Sequence, residues 1–158
     1  MERTFRWTDP GSVAAAARGS DGLSFLKSIA GRGRPQAAPI AECLAFELVE
    51  VEVGRTVFEV TASEFHYNPI GTVHGGLVAT LCDSAIGAAV HSTLERGQGY
   101  TSIDLQVRFL KAITQGRFRC EGKVLHRGSR IAVGEAQLIN DEGKVFARAS
   151  SSCLILSG

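Results

Sequence analysis

The segment from Gly75 to about Leu94 limits the architecture more than any other part of the chain. Leu77, Val78, Leu81, Ala85, Ile86, Ala88, Ala89 and Val90 lie on nearly all sides of a helix when the segment is wound at 3.6 residues per turn. A helix that is apolar all round belongs inside a protein, not on its surface. At 1.5 Å per residue it is roughly 30 Å long. A helix of that length needs a cover, and the flanking sequence supplies strands. Phe46 to Val53 and Thr56 to Thr61 are strand-like and joined by the turn signal Gly54-Arg55. After the helix, Ile103, Leu105, Val107 and Phe109 alternate with Ser102, Asp104, Gln106 and Arg108. Phe118, Cys120 and Val124 alternate with charged neighbours in the next strand, and Ile131 to Ile139 is a third. The turn Asn140-Asp141-Glu142-Gly143 then leads into a last strand from Lys144 to Leu156. Two strands, one helix and four strands predict an α+β fold, a largely antiparallel sheet wrapped around one long central helix.

The first forty residues do not share this pattern. Asp9-Pro10 predicts a short helix through Ala14 to Ala17, and Asp21 predicts the cap of a second helix carrying Leu23, Phe25, Leu26 and Ile29. Gly31-Arg32-Gly33-Arg34-Pro35 is linker chemistry. The division expected is a helical extension and linker over 1–40 and a main domain over 41–158. The extension either lies on the main domain or forms a mobile leader.

Bulk properties narrow the function. A net charge of +1 in 158 residues argues against a nucleic-acid surface. No apolar run approaches the ~18 residues of a membrane span. The charged start Met1-Glu2-Arg3 has no signal-peptide core, so a cytoplasmic location is expected. Cys43, Cys82, Cys120 and Cys153 form no C-x-x-C pair, and His66, His74, His91 and His126 have no ligand spacing. Neither a metal nor another cofactor is expected, and the cysteines fit as small core residues.

Chemistry concentrates where the loop Asn68-Pro69-Ile70-Gly71-Thr72-Val73 runs through His74-Gly75-Gly76 into the central helix. The Gly-Gly pair places bare backbone N–H groups at a helix N-terminus, where the dipole adds partial positive charge. Such donors suit a developing oxyanion. Further along, Asp83 is a carboxylate in an apolar helix. Burying it is costly, so it must be paired, solvated in a cavity or functional.

The stretch H-Y-N-P-I-G-T-V-H-G-G-L-V-A-T-L-C-D-S-A, His66 to Ala85, resembles the signature of hotdog thioesterases related to the phenylacetate-pathway thioesterase. That group includes 4-hydroxybenzoyl-CoA thioesterases and the mammalian thioesterase-superfamily member 2. The resemblance spans about Leu44 to Leu156. It implies the hotdog fold and hydrolysis of an aromatic or short to medium acyl-CoA. Carried over, the functional positions are Asn68, Gly75 and Asp83, with His74 in support of the carbonyl or the sulfur side. Tyr100 to Asp104 resembles the family's next strand, where Ser102, or alternatively Thr101, would help position water.

On this reading the Gly75 N–H holds the oxyanion, and Asp83 is either a general base on water or a nucleophile. Gly75 and Asp83 are eight residues apart, roughly 12 Å along a helix, too far to reach one carbonyl carbon together. Two chains must therefore share a site, which predicts a homodimer or a dimer of dimers, the family's homotetramer. Gly76 is expected near the substrate. The turn Arg127-Gly128-Ser129-Arg130 offers Arg127, Ser129 and Arg130 to CoA phosphates. A non-catalytic acyl-CoA-binding protein on the same fold is the alternative. A hotdog hydratase fits less well, because His74 is followed by Gly-Gly.

Overall fold

The structure, a computed structural model, describes residues 1–31 and 38–157. Arg32 to Pro35 of the expected linker lie outside the described residues. Four helices, α1 (Pro10–Gly19), α2 (Gly22–Ile29), α3 (Pro39–Leu44) and α4 (Gly75–His91), accompany seven strands. These are β1 (Phe46–Glu52), β2 (Arg55–Thr61), β3 (Gly99–Ser102), β4 (Gln106–Phe109), β5 (Arg117–Arg127), β6 (Ile131–Asn140) and β7 (Val145–Leu156). They form one antiparallel sheet in the order β1-β2-β5-β6-β7-β3, with β4 also paired to β7. The sheet wraps α4, which packs against β2, β5, β6 and β7. This is the α+β hotdog arrangement expected from the element order.

Helix and sheet approach closely where side chains are missing. A Cβ on Gly122 of β5 would lie 2.3 Å from the Ala85 carbonyl of α4, so only glycine fits there. Beside it, the buried Thr56 hydroxyl of β2 donates to the same Ala85 oxygen at 2.8 Å. The pair fixes the height of α4 over the sheet.

Three expectations need correction. The helix is shorter than Gly75 to Leu94, ending at His91. There the Ser92 and Thr93 hydroxyls turn back onto the Ala89 and Val90 carbonyls at 2.6 and 2.7 Å, competing with helical propagation. Nor is it apolar all round, since Gly76 and Asp83 are exposed on one strip. The expected strand through Ser102 to Phe109 is two strands, giving seven where six were predicted. The Asp104 carboxylate accepts the Ser152 N–H at 3.0 Å, and the Ser151 hydroxyl donates to the Asp104 carbonyl at 2.7 Å, so Asp104 interrupts the ladder with its own side chain.

The first two helices occur as expected. Asp9 and Asp21 accept N–H bonds from Ser12 and Ser24, each at 2.9 Å. Phe25 and Leu26 belong to the same buried cluster as α4, and the Gly22 N–H donates to the Leu94 carbonyl at 3.0 Å. The helix α3 was not anticipated from sequence; Pro39 starts it and Ala45 ends it in the left-handed region.

Candidate active site

The loop entering α4 is built around Asn68. Its Oδ1 accepts the Ile70 and Thr72 N–H groups at 3.1 and 3.2 Å, and its Nδ2 donates to the Thr72 hydroxyl at 2.8 Å. Gly71, at φ +80°, completes the reversal. Both ends of the Asn68 amide are therefore engaged in its own loop. Behind it, buried His66 accepts the Ser63 N–H at Nδ1 (3.2 Å) and donates from Nε2 to the Leu44 carbonyl (2.7 Å). That pattern requires the neutral ring, and burial lowers the His66 pKa in the same sense. The His66 carbonyl in turn accepts the His74 N–H at 2.8 Å, tying the loop to the helix start.

His74 is the N-cap of α4. Its Nδ1 accepts the Gly76 N–H at 2.8 Å. The Gly-Gly pair is thereby divided: Gly76 is used in the cap, while no acceptor among the described residues takes the Gly75 N–H. Gly75 thereby keeps an oriented donor at the positive end of a 17-residue helix. The Phe109 ring covers the other side of Gly75, where a Cβ would lie 3.1 Å from it.

Asp83 lies two turns further on. It is exposed in the single chain, contrary to the expectation of a carboxylate enclosed in an apolar helix. Its environment is nonetheless specific. The Ser102 hydroxyl at the end of β3 donates to Asp83 Oδ1 at 3.0 Å, so of Ser102 and Thr101 it is Ser102 that meets the carboxylate. Two residues earlier on the same strand face, Tyr100 packs on Gly87, where a Cβ would meet its hydroxyl at 2.3 Å. Burial, and after it the charge of Asp83, push the Tyr100 phenol well above its usual range, so it stays protonated beside the carboxylate. Sequence reasoning overlooked Tyr100; its position two residues before Ser102 was the available signal.

The structure brings Asp83 and Ser102 together, and groups Asn68, His74, Gly75 and Gly76 at the other end of the helix. It does not bring the two groups together within one chain, since eight helical residues keep them roughly 12 Å apart. Arg127, Ser129 and Arg130 sit at the β5–β6 turn. Arg127 donates to the Gly128 carbonyl and, at 3.4 Å, to Gln98 just before β3, while Ser129 and Arg130 are exposed. From Gln98 to Ser102 is four strand residues, roughly 13 Å. No group of three metal-ligating side chains occurs among the described residues.

Comparisons with known proteins bear on the family and the fold. The thioesterase superfamily profile matches residues 70–147, which include Gly75, Asp83 and Ser102. A protein of Saccharolobus solfataricus with an esterase name is 31% identical over 121 residues, covering 77% of this chain and 86% of its own length. Acyl-coenzyme A thioesterase 13 of Homo sapiens is 34% identical over 103 residues, 64% of this chain and 73% of the relative. Among solved structures, a phenylacetic acid degradation-related protein from Ralstonia eutropha superposes with a TM-score of 0.71 at 26% identity, over 78% of this chain and 94% of that one.

Proposed function

The chain belongs to the thioesterase superfamily and is a thioester hydrolase, and from that premise we propose that it cleaves acyl-CoA in a site shared by two chains. The hydrogen bond between Ser102 and Asp83 carries this reading. It holds one carboxylate oxygen and leaves the other, on an exposed residue, to take a proton from water. The water oxygen bonds to the thioester carbon, and the carbonyl oxygen becomes an oxyanion. The Gly75 N–H, helped by the helix dipole, stabilises that charge. Collapse of the intermediate breaks the C–S bond and expels CoA as a thiolate, which needs no strong general acid.

Asn68 and His74 act in this scheme as positioning residues. Asn68 folds the loop, and His74 takes the Gly76 N–H while leaving that of Gly75 available. The second chain follows from the 12 Å separation, and the surface supports it. β3 is an edge strand, and near that edge Ile103, Phe109 and Leu110 are 57%, 58% and 53% exposed. A second copy laid on this side covers them and brings its own Gly75 toward Asp83. Arg127, Ser129 and Arg130 remain the cations and donors for CoA phosphate.

The test is thiol release from a panel of acyl-CoAs by wild type and by folded Asp83→Asn. Turnover of at least one acyl-CoA, abolished or strongly reduced in the variant, is expected. Undiminished turnover by Asp83→Asn would remove this carboxylate from the mechanism.

A further inference from the structure

A cavity of about 300 Å3 lies between the N-terminal helices and the body of the fold. Its outer wall is the extension, through Val13 of α1, Leu26 and Ile29 of α2, and Ile40 of α3. Its floor is one stripe of α4, Ser84, Ala88 and His91, spaced i, i+4, i+7. Two of its boundaries adjoin the proposed chemistry. Ser84 directly follows Asp83, and Tyr100 stands two residues before Ser102 on the same face of β3.

Resting on the acyl-CoA reading above, we infer that this cavity is the acyl pocket and that the N-terminal extension makes the enzyme selective for uncharged hydrocarbon acyl groups of medium length. The size is at the lower end of the roughly 300–1,000 Å3 of small-ligand sites, suited to an acyl group and not to the whole of CoA. Apart from Glu42 of α3 and Glu47 of β1, the described residues of the extension and sheet walls are aliphatic and aromatic, with Phe46, Leu48 and Phe58 completing them from β1 and β2. A terminal carboxylate would lose its hydration there, would meet Glu42 and Glu47, and would gain no Lys or Arg partner among the described residues of these walls. Because α1 and α2 supply one side, the length limit belongs to the extension and not to the strands that carry the reaction.

The experiment compares kcat/KM across straight-chain acyl-CoAs from acetyl to dodecanoyl, with phenylacetyl-CoA and adipoyl-CoA as aromatic and carboxylated arms. Wild type should favour medium-length hydrocarbons over both acetyl-CoA and adipoyl-CoA. Phenylacetyl-CoA outrunning every aliphatic chain would overturn the length assignment. Ile29→Trp fills the cavity from the extension, and Ala88→Leu fills it from α4. Each should lower the octanoyl-to-acetyl ratio of kcat/KM by about tenfold or more, as pocket-filling changes of one or a few carbons do. Two walls are used so that a local fault in α2 cannot imitate the effect; circular dichroism and Tm confirm folding. An unchanged ratio in both folded variants would make the cavity a packing gap, while thiol release itself would leave the catalytic reading standing. Calorimetric binding of S-octyl-CoA, a thioether that cannot be hydrolysed, reads the pocket without turnover. Binding weakened by Ile29→Trp supports the assignment even if no substrate in the panel is cleaved, and equal binding overturns it.

Discussion

At the scale of single residues, Asp83 and Ser102 make a pair whose halves do different work. In the proposed reaction the carboxylate exchanges the proton, while the hydroxyl holds it at 3.0 Å. Removing the proton acceptor should therefore cost more than removing its holder. Asp83→Asn is expected to lower kcat by roughly 10²–10⁴, the range for a lost general base. Ser102→Ala removes one hydrogen bond to a charged group, a loss of about 1.5–3 kcal/mol, and should lower kcat about tenfold to a hundredfold. Ser102→Thr keeps the hydroxyl and should recover much of that loss. Equal effects from Asp83→Asn and Ser102→Ala would mean that the serine acts directly on the reacting atoms. Asp83 itself was legible in the sequence because a carboxylate in an apolar helix demands an explanation. Its exposure was not legible, because the strip of α4 that carries it faces out of the single chain, and periodicity within one sequence does not distinguish solvent from a partner.

At the scale of elements, α4 joins the two halves of the proposed chemistry, and its N-terminus can be tested alone. The proposed oxyanion donor is a backbone N–H, so no side-chain deletion removes it. Gly75→Pro does, and proline is tolerated in the first helical turn. The kcat should fall about 10²–10³, with CoA binding largely retained, because the donor acts most on charge that develops in the transition state. Gly75→Ala is the control: it keeps the N–H and asks only that the Phe109 ring yield by a few tenths of an ångström. If Gly75→Pro retains kcat and raises KM alone, the oxyanion is held elsewhere. The loop and the far end of α4 make a separate prediction about pH. Burial lowers the pKa of both His66 and His91 below the usual value of about 6.5. Above that value both rings are neutral in the folded and unfolded chains, and stability is unaffected by them. As pH falls below it, the unfolded chain takes up protons that the folded chain resists, so stability declines until the folded pKa values are reached. The slope is at most about 1.4 kcal/mol per pH unit for each histidine. The Tm should drop between pH 7.5 and 5.5, and His66→Gln, which can imitate one donor and one acceptor, should flatten part of that drop. A Tm independent of pH across this interval would mean that the rings are protonated at no cost inside the fold. The order of elements was readable from alternation and from the apolar helix, and the loop that Asn68 closes from its turn residues, but two boundaries were not. Asp104 breaks its strand, and Ser92 and Thr93 stop α4, each through side-chain to backbone bonds that hydrophobic patterning does not register.

At the scale of the whole molecule, the proposed mechanism uses two ends of α4 that lie too far apart to serve one substrate within one chain, and this yields a test that no single variant provides. The donor end carries Gly75, and the base end carries Asp83 with Ser102. If a site takes its donor from one chain and its base from another, each two-fold pair contains two sites, each assembled from complementary ends. A chain inactivated by Gly75→Pro still has a sound Asp83, and a chain inactivated by Asp83→Asn still has a sound Gly75. Mixed dimers then contain one site with both lesions and one with neither. Random exchange of equal amounts makes about half of the dimers mixed, and half of the sites in those are intact, so activity should return to about a quarter of wild type. Exchange has to be driven by brief denaturation and refolding, or by co-expression with two affinity tags, and the mass of the hybrid confirmed by sedimentation. The edge beside β3 can be tested in the same preparation. Ile103→Lys places a charge where the proposed partner covers an exposed isoleucine, and it should lower both the sedimenting mass and the activity. Activity that persists in a monomer of that variant would place a complete site within one chain. Failure of correctly mixed dimers to regain activity, with each parent folded and dimeric, would mean that Gly75 and Asp83 do not serve the same substrate.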